Sequence, residues 1–224
     1  SKAWDRLTEW TEDSFAGVLT NINAGRVANR FDLGGTNVIL DAACASGLMA
    51  VGKAVNELVD GSANMALAGA IDVGQVPFQF LGFSNTRALS PTGELQPFGR
   101  GANGTVTGEA ITFVVLKRLV DAERDGDRIY SVIKGIGTSS DGKGLGMTAP
   151  RPAGQMRALN RAYARAGFTM STIGLYEAHG TGTPVGDKAE AETLFTLLQN
   201  GSGEPANCAV GSVKSLTGHT KNAA

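Results

Sequence analysis

The chain has 224 residues, 31 of them glycine, and a formal charge of −1. This length suits one large domain or two small ones, and near-neutral charge with scattered Lys and Arg argues against a nucleic-acid partner held by a basic field. Two distant cysteines, Cys44 and Cys208, form no disulfide framework and point to a reducing compartment, and no apolar run reaches the roughly 18–20 residues that cross a bilayer. The stretch from Ser1 to Asp13 is polar and mixed in charge, unlike a secretory leader. The expectation is a cytoplasmic protein with neither a membrane nor a nucleic-acid partner.

Residues 1–20 read as a weak helix or irregular lead-in, and Asn21 to Arg30 as a short helix. Phe31 to Gly35 is a turn, and Thr36 to Leu40 a strand. Cys44 to Val59 has its apolar residues Cys44, Leu48, Val51, Val55 and Leu58 at helical spacing, and Asp60-Gly61 closes it. Asn64 to Ile71 and Ala110 to Leu116 are apolar enough to be strands buried on both faces. Between them, Gln75 to Arg87 is apolar and aromatic, broken by Pro77 and Gly82, and Ser90 to Gly108 is a long Gly/Pro/Asn-rich loop of the kind that is often functional. A short helix from Val120 to Arg124 ends at Asp125-Gly126. Tyr130 to Ile136 is a strand and Gly137 to Gly146 a loop. The helix from Ala153 to Ala166 turns Met156, Leu159 and Tyr163 inward and exposes Arg157, Arg161 and Arg165. Thr172 to Tyr176 is a strand. The helix from Asp187 to Leu198 faces Ala191, Leu194, Phe195 and Leu198 inward, and Cys208 to Gly211 is a short strand. This alternation of strands and helices gives a layered α/β protein.

Three loops, each after an expected strand, carry the scarce reactive residues. They are Asp41-Ala42-Ala43-Cys44, Glu177-Ala178-His179-Gly180-Thr181-Gly182-Thr183 and Lys214-Ser215-Leu216-Thr217-Gly218-His219-Thr220. In α/β sheets such loops gather at one edge. A thiol with the only two histidines supplies a nucleophile and two proton or hydrogen-bond partners. A thiol in the first turn of a helix lies in the positive end of the helix dipole, which favours the thiolate. The alternatives are a small buried cysteine, satisfied loop histidines, and a metal site. The last lacks the closely spaced ligand pair that usually anchors one.

Four motifs in order, DAACASG around Cys44, LSPTGELQPF from Leu89 to Phe98, HGTGTPVGD from His179 to Asp187 and SVKSLTGHT from Ser212 to Thr220, resemble the β-ketoacyl synthases of the thiolase-like superfamily. The run TAPRPAGQMRALNRAYARAGF from Thr148 to Phe168 is most similar to ketosynthases of polyketide and polyunsaturated fatty-acid synthases. The resemblance implies a thiolase-like layered αβαβα fold and a decarboxylative Claisen condensation. It implies that Cys44 accepts the acyl chain, and that His179 and His219 bind the malonyl thioester and promote loss of carbon dioxide. Lys214 and Glu190 are implied as a supporting pair. Thr181 and Thr183 are implied to contact the phosphopantetheine arm, and the Cys44 N–H to serve as an oxyanion donor. No metal and no resident cofactor are implied. The implied partners are an acyl carrier protein domain, acyl and malonyl thioesters, and a second copy in a homodimer.

The resemblance implies that residues 1–224 are a partial ketosynthase domain. About 1–136 is most of the nucleophile-bearing N-terminal half, and about 137–224 the start of a C-terminal half with both histidines. N-terminal strands and a C-terminal Gly-Phe-Gly stretch of the family are not matched. Gly99 and Asn103 stand where the family commonly has aspartates, Ala110 where it has a glycine and Lys188 where it has a proline. Rival readings are a thiolase-type acyltransferase and a non-catalytic ketosynthase-like partner or scaffold. A papain-like hydrolase would leave the two-histidine set and the Lys214–Glu190 pair without roles.

Overall fold

The computed structural model describes residues 10–144, 146, 149–199 and 208–224. Residues 1–9 of the expected lead-in, Leu145 of the Gly-rich loop and Thr148 of the polyketide-like run lie outside the described residues. Helices α1 (Glu12–Val18) and α2 (Ile22–Arg30) open the chain. A 3₁₀ turn (Ala43–Ala45) runs directly into α3 (Ser46–Val59), which packs on β1 (Met65–Asp72). Helix α4 (Pro77–Asn85) follows, and Pro77 opens it at a first-turn position where its missing N–H costs nothing. The long loop then leads to β2 (Ala110–Lys117) and α5 (Leu119–Asp125). Helix α6 (Pro152–Ala166), β3 (Leu175–Glu177), α7 (Pro184–Gln199), β4 (Ala209–Gly211), the single turn α8 (Lys214–Thr217) and a 3₁₀ turn (Lys221–Ala223) complete the described chain.

Strand β1 pairs antiparallel with β2 from Met65↔Lys117 to Asp72↔Ala110, and β3 pairs parallel with β4. The expected strands at Thr36–Leu40 and Tyr130–Ile136 join no ladder among the described residues. Their apolar side chains, among them Ile39 at 47% and Ile133 at 44%, are exposed. Apolar run length reports a segment's need for cover, whereas strand pairing needs a neighbour. For the same reason β2 is not covered on both faces: Ile111 and Val115 are 64% and 67% exposed.

Two expected helix faces are revised. On α3, Leu48 points outward at 70% exposure, while Leu58 is buried. On α7 the buried stripe is Ala189, Glu190, Thr193 and Leu194, not Ala191 and Phe195. Its polar members are satisfied: the Thr193 hydroxyl reaches Ala189 O at 2.8 Å and Gln155 Oε1 on α6 at 2.7 Å. Periodicity that counts only apolar residues misplaces a face built partly on hydrogen-bonded polar ones.

Candidate active site

Cys44 occupies the middle of the tight 3₁₀ turn ahead of α3. Ala43 adopts φ +49°, a left-handed conformation unfavourable for a residue with a Cβ. Neighbouring hydrogen bonds hold it there. Ala43 N–H donates to Asp41 Oδ1 at 2.9 Å and Ala42 N–H to Ser46 Oγ at 2.9 Å, while Ser46 Oγ donates to Ala43 O at 2.7 Å. The result is a half-buried thiol at the head of α3.

The two histidine loops leave the C-terminal ends of the parallel pair β3/β4. Glu190, on α7, accepts the His179 N–H through Oε1 at 2.8 Å and the Gly180 N–H through Oε2 at 2.9 Å. Asp187, one turn earlier, accepts the Gly182 N–H at 3.1 Å and, through its other oxygen, the Phe98 N–H at 2.7 Å. The long loop thus braces the first histidine loop, and it braces the second as well. His219 N–H donates to Val106 O at 2.7 Å and Gly108 N–H to His219 O at 2.9 Å. Lys221 N–H donates to His219 Nδ1 at 3.0 Å, which leaves the neutral ring its proton on Nε2. The imidazoles stand edge to face, 5.3 Å between centroids at 89°. The Cys44 sulfur and ring nitrogens of both histidines lie within 4.8 Å of one another.

Residues 4–122 match the family model for the N-terminal domain of β-ketoacyl synthase, and residues 130–224 the model for its C-terminal domain. The chain belongs to the β-ketoacyl synthase family. It is 44% identical over 215 residues to a polyunsaturated fatty acid synthase polypeptide of Thraustochytrium sp., covering 95% of this chain and 8% of that protein. It is 43% identical over 211 residues to a phenolphthiocerol/phthiocerol polyketide synthase polypeptide of Mycobacterium tuberculosis, covering 94% of this chain and 11% of that protein. The ketosynthase from module 6 of the bacillaene synthase of Bacillus subtilis 168 superposes with a TM-score of 0.90 at 38% identity, covering 97% of this chain and 40% of that one. The oxazolomycin ketosynthase domain OzmH KS7 of Streptomyces albus JA3453 gives 0.90 at 35% identity, covering 100% and 38%. The thiolase-like α/β fold class expected from the motifs is therefore the observed one, and the chain spans about two fifths of these solved ketosynthases.

Within this candidate site the electrostatics favour neutral rings and a protonated thiol. Burial lowers both imidazoles to about 4. The effect is firmer for His219, 3% exposed, than for His179, which stands open to solvent. Burial raises the Cys44 thiol above its ordinary value, opposed by its own backbone N–H and by the Lys214 charge. The expected helix-dipole activation is thus outweighed by desolvation, because the sulfur is half-buried and the 3₁₀ turn sets it one step ahead of the helix proper. Lys214 is itself buried and pushed down by desolvation, against the pull of Cys44, Glu177 and Glu190.

Lys214 and Glu190 make no direct ion pair among the described residues. Glu190 instead spends both oxygens on loop amides, and Glu177 is a second acid in the field of Lys214. The Thr181 and Thr183 hydroxyls bond each other at 2.8 Å on the first histidine loop. Asp187, Glu177, Asp72 and Lys221 were not singled out as site residues by sequence reasoning. Asp187 closes the HGTGTPVGD motif, and that position was its only signal. As for a metal, zinc bonds of about 2.0–2.3 Å need ligand atoms roughly 3.3–3.8 Å apart. Here the three ligand atoms all lie within 4.8 Å of one another, with the buried Lys214 charge acting on the Cys44 sulfur.

Proposed function

We propose that the full-length protein is a β-ketoacyl synthase that extends an acyl chain by decarboxylative condensation with a malonyl-type thioester. The observation that carries this reading is the gathering of Cys44, His179 and His219 within 4.8 Å on three separate loops. In the first half-reaction the Cys44 sulfur attacks the carbonyl of an acyl thioester. As the old carbon–sulfur bond breaks, the proton given up by the Cys44 thiol ends on the departing thiolate, which leaves as a thiol. In the second, the carboxylate–carbon bond of the malonyl thioester breaks, carbon dioxide leaves, and the electron pair forms an enolate. Neutral imidazoles donate to that enolate oxygen, His219 through Nε2–H as its tautomer requires. The enolate carbon attacks the acyl–Cys44 carbonyl, and the Cys44 sulfur departs.

Carrier-borne phosphopantetheine is the proposed form of both substrates, with Thr181 and Thr183 meeting the arm. A carrier-protein domain and a second copy of the protein are the proposed partners, and no resident cofactor is needed. The polyketide and polyunsaturated fatty-acid synthase relatives support this assignment. Two free cysteines fit a reducing, cytoplasmic setting, and among the described residues no helix is long and apolar enough to cross a membrane.

The test is to follow each half-reaction in the full-length protein. Cys44→Ala should reduce chain extension to background while malonyl decarboxylation continues. His219→Ala should slow decarboxylation by about 10²–10³-fold and leave acyl transfer to Cys44. Chain extension undiminished by Cys44→Ala would overturn the reading.

A further inference from the structure

Behind the second histidine lies a buried ion pair with no part in the chemistry above. Lys221 Nζ sits 3.0 Å from Asp72 Oδ1, each side chain 8% exposed, and donates to Gly108 O at 2.9 Å. Asp72 is the last residue of β1 and pairs with Ala110, the first of β2. Gly108 is the residue whose N–H holds the His219 carbonyl. Lys221 itself adopts φ +53°, an unfavourable conformation for a residue with a long side chain, and that conformation aims its N–H at His219 Nδ1. A lysine this buried must be paired. Here both of its observed partners lie in the β1–β2 region while its backbone lies against the imidazole.

We propose that Asp72 and Lys221 are positioning residues that lock the Lys221 N–H onto His219 Nδ1 and so present the Nε2–H of His219 to the enolate oxygen. The side-chain clasp fixes the backbone at Lys221 from the far side. Without it, the 3₁₀ turn Lys221–Ala223 relaxes from its left-handed residue and His219 gains a second tautomer and freedom to rotate. That turn also packs against the Cys44 turn and β1, so the clasp ties the sheet edge to the second histidine loop beside the Cys44 turn. Gly108 has no room for a side chain: a Cβ there would lie 2.2 Å from Thr217 O. The segments around Gly108 and Thr217 therefore pack backbone against backbone, joined by the bridge between Thr107 and His219.

This proposal rests on the condensation reading, and the experiment separates the two. If wild-type full-length protein fails to condense at all, the earlier reading falls. With an active wild type, the clasp is tested alone. The double variant Asp72→Asn/Lys221→Met removes both buried charges together. It is expected to lower kcat for malonyl decarboxylation at least tenfold, with KM and the rate of Cys44 acylation within about twofold of wild type. Lys221→Arg, which keeps the charge and the reach to Asp72, is expected to recover most of that kcat. If the double variant decarboxylates at the wild-type rate, or loses acylation and decarboxylation in equal proportion, the positioning role is overturned. If the double variant does not fold, the single variant Asp72→Asn, which breaks the ion pair from the strand side, decides. Loss confined to decarboxylation supports the clasp, and either no loss or an equal loss of both half-reactions overturns it.

Discussion

The Cys44 thiol is where local geometry and local electrostatics pull in different directions. Its turn exposes the sulfur to an incoming thioester, while burial keeps the proton on. Alkylation of Cys44 by iodoacetamide should therefore accelerate as pH rises through 9 without levelling off before it. Lys214→Met should move that profile further upward, since the lysine charge is one of the two influences holding the thiol down. A labelling rate already flat at pH 7 would refute the assignment. For His219 the sign is opposite. Its folded value of about 4 lies below the ordinary 6.5, so the unfolded chain binds more protons between those limits. Stability should fall as pH drops through that window, by up to about 1.4 kcal/mol per unit for this group, and His219→Gln should flatten the slope in urea titrations. The reacting residues were legible because thiols and imidazoles are scarce here and because each histidine follows a strand into a glycine-containing loop. Asp187, Asp72 and Lys221 were not, because acids and lysines are common and their partners lie 89, 149 and 113 residues away in sequence.

Among the elements, α6 and the extended segment beside it show how a helix can stand in for a neighbouring strand. Arg157, Arg161 and Arg165 donate to the carbonyls of Ser140, Thr138 and Ile136. Four helical residues rise about 6.0 Å and two extended residues about 6.6 Å, so the two ladders stay in step while running antiparallel. Sequence reasoning saw these arginines as a solvated face, and exposed they are. Their guanidinium groups nevertheless satisfy carbonyls that no strand reaches among the described residues. Close approach is what permits this. A Cβ at Gly137 would lie 2.0 Å from Ala158 O and one at Gly135 2.3 Å from Ala162 O. Arg161→Met should lower stability by about 1 kcal/mol, the value of one solvent-accessible hydrogen bond. Gly137→Ala should cost more, as overpacking displaces the helix by about 1–3 kcal/mol. Thermal unfolding of both variants checks the order, and a larger loss for Arg161→Met would contradict it.

For the molecule as a whole, family and fold class could be read from four short motifs, because the chemistry constrains their loops closely. The layering could not. Runs such as Ala110–Leu116 announce apolar strands, but which faces become covered depends on chain that pairs with them. In this structure Ile71, Ile111, Phe113 and Val115 remain 48%, 64%, 44% and 67% exposed on the two-stranded β1/β2 sheet. These four side chains share one face of the sheet, and a contiguous exposed apolar patch marks a surface that other protein covers or that promotes association. The 224-residue polypeptide on its own should bind 8-anilinonaphthalene-1-sulfonate strongly and self-associate in sedimentation. A dye-silent monomer would show that these faces find cover within the chain itself.

The carboxylate of Asp187 carries one more consequence, for recombination between related synthases. It joins residues from both halves of the chain, fixing Phe98, which sits at φ +57°, and Gly182 with its two oxygens. A chimera whose crossover falls between Phe98 and Asp187 inherits the two ends of that bracket from different parents. Swaps that keep residues 89–108 and 179–190 from one parent should retain turnover far more often than swaps that cut between them, whatever the parents' acyl preferences.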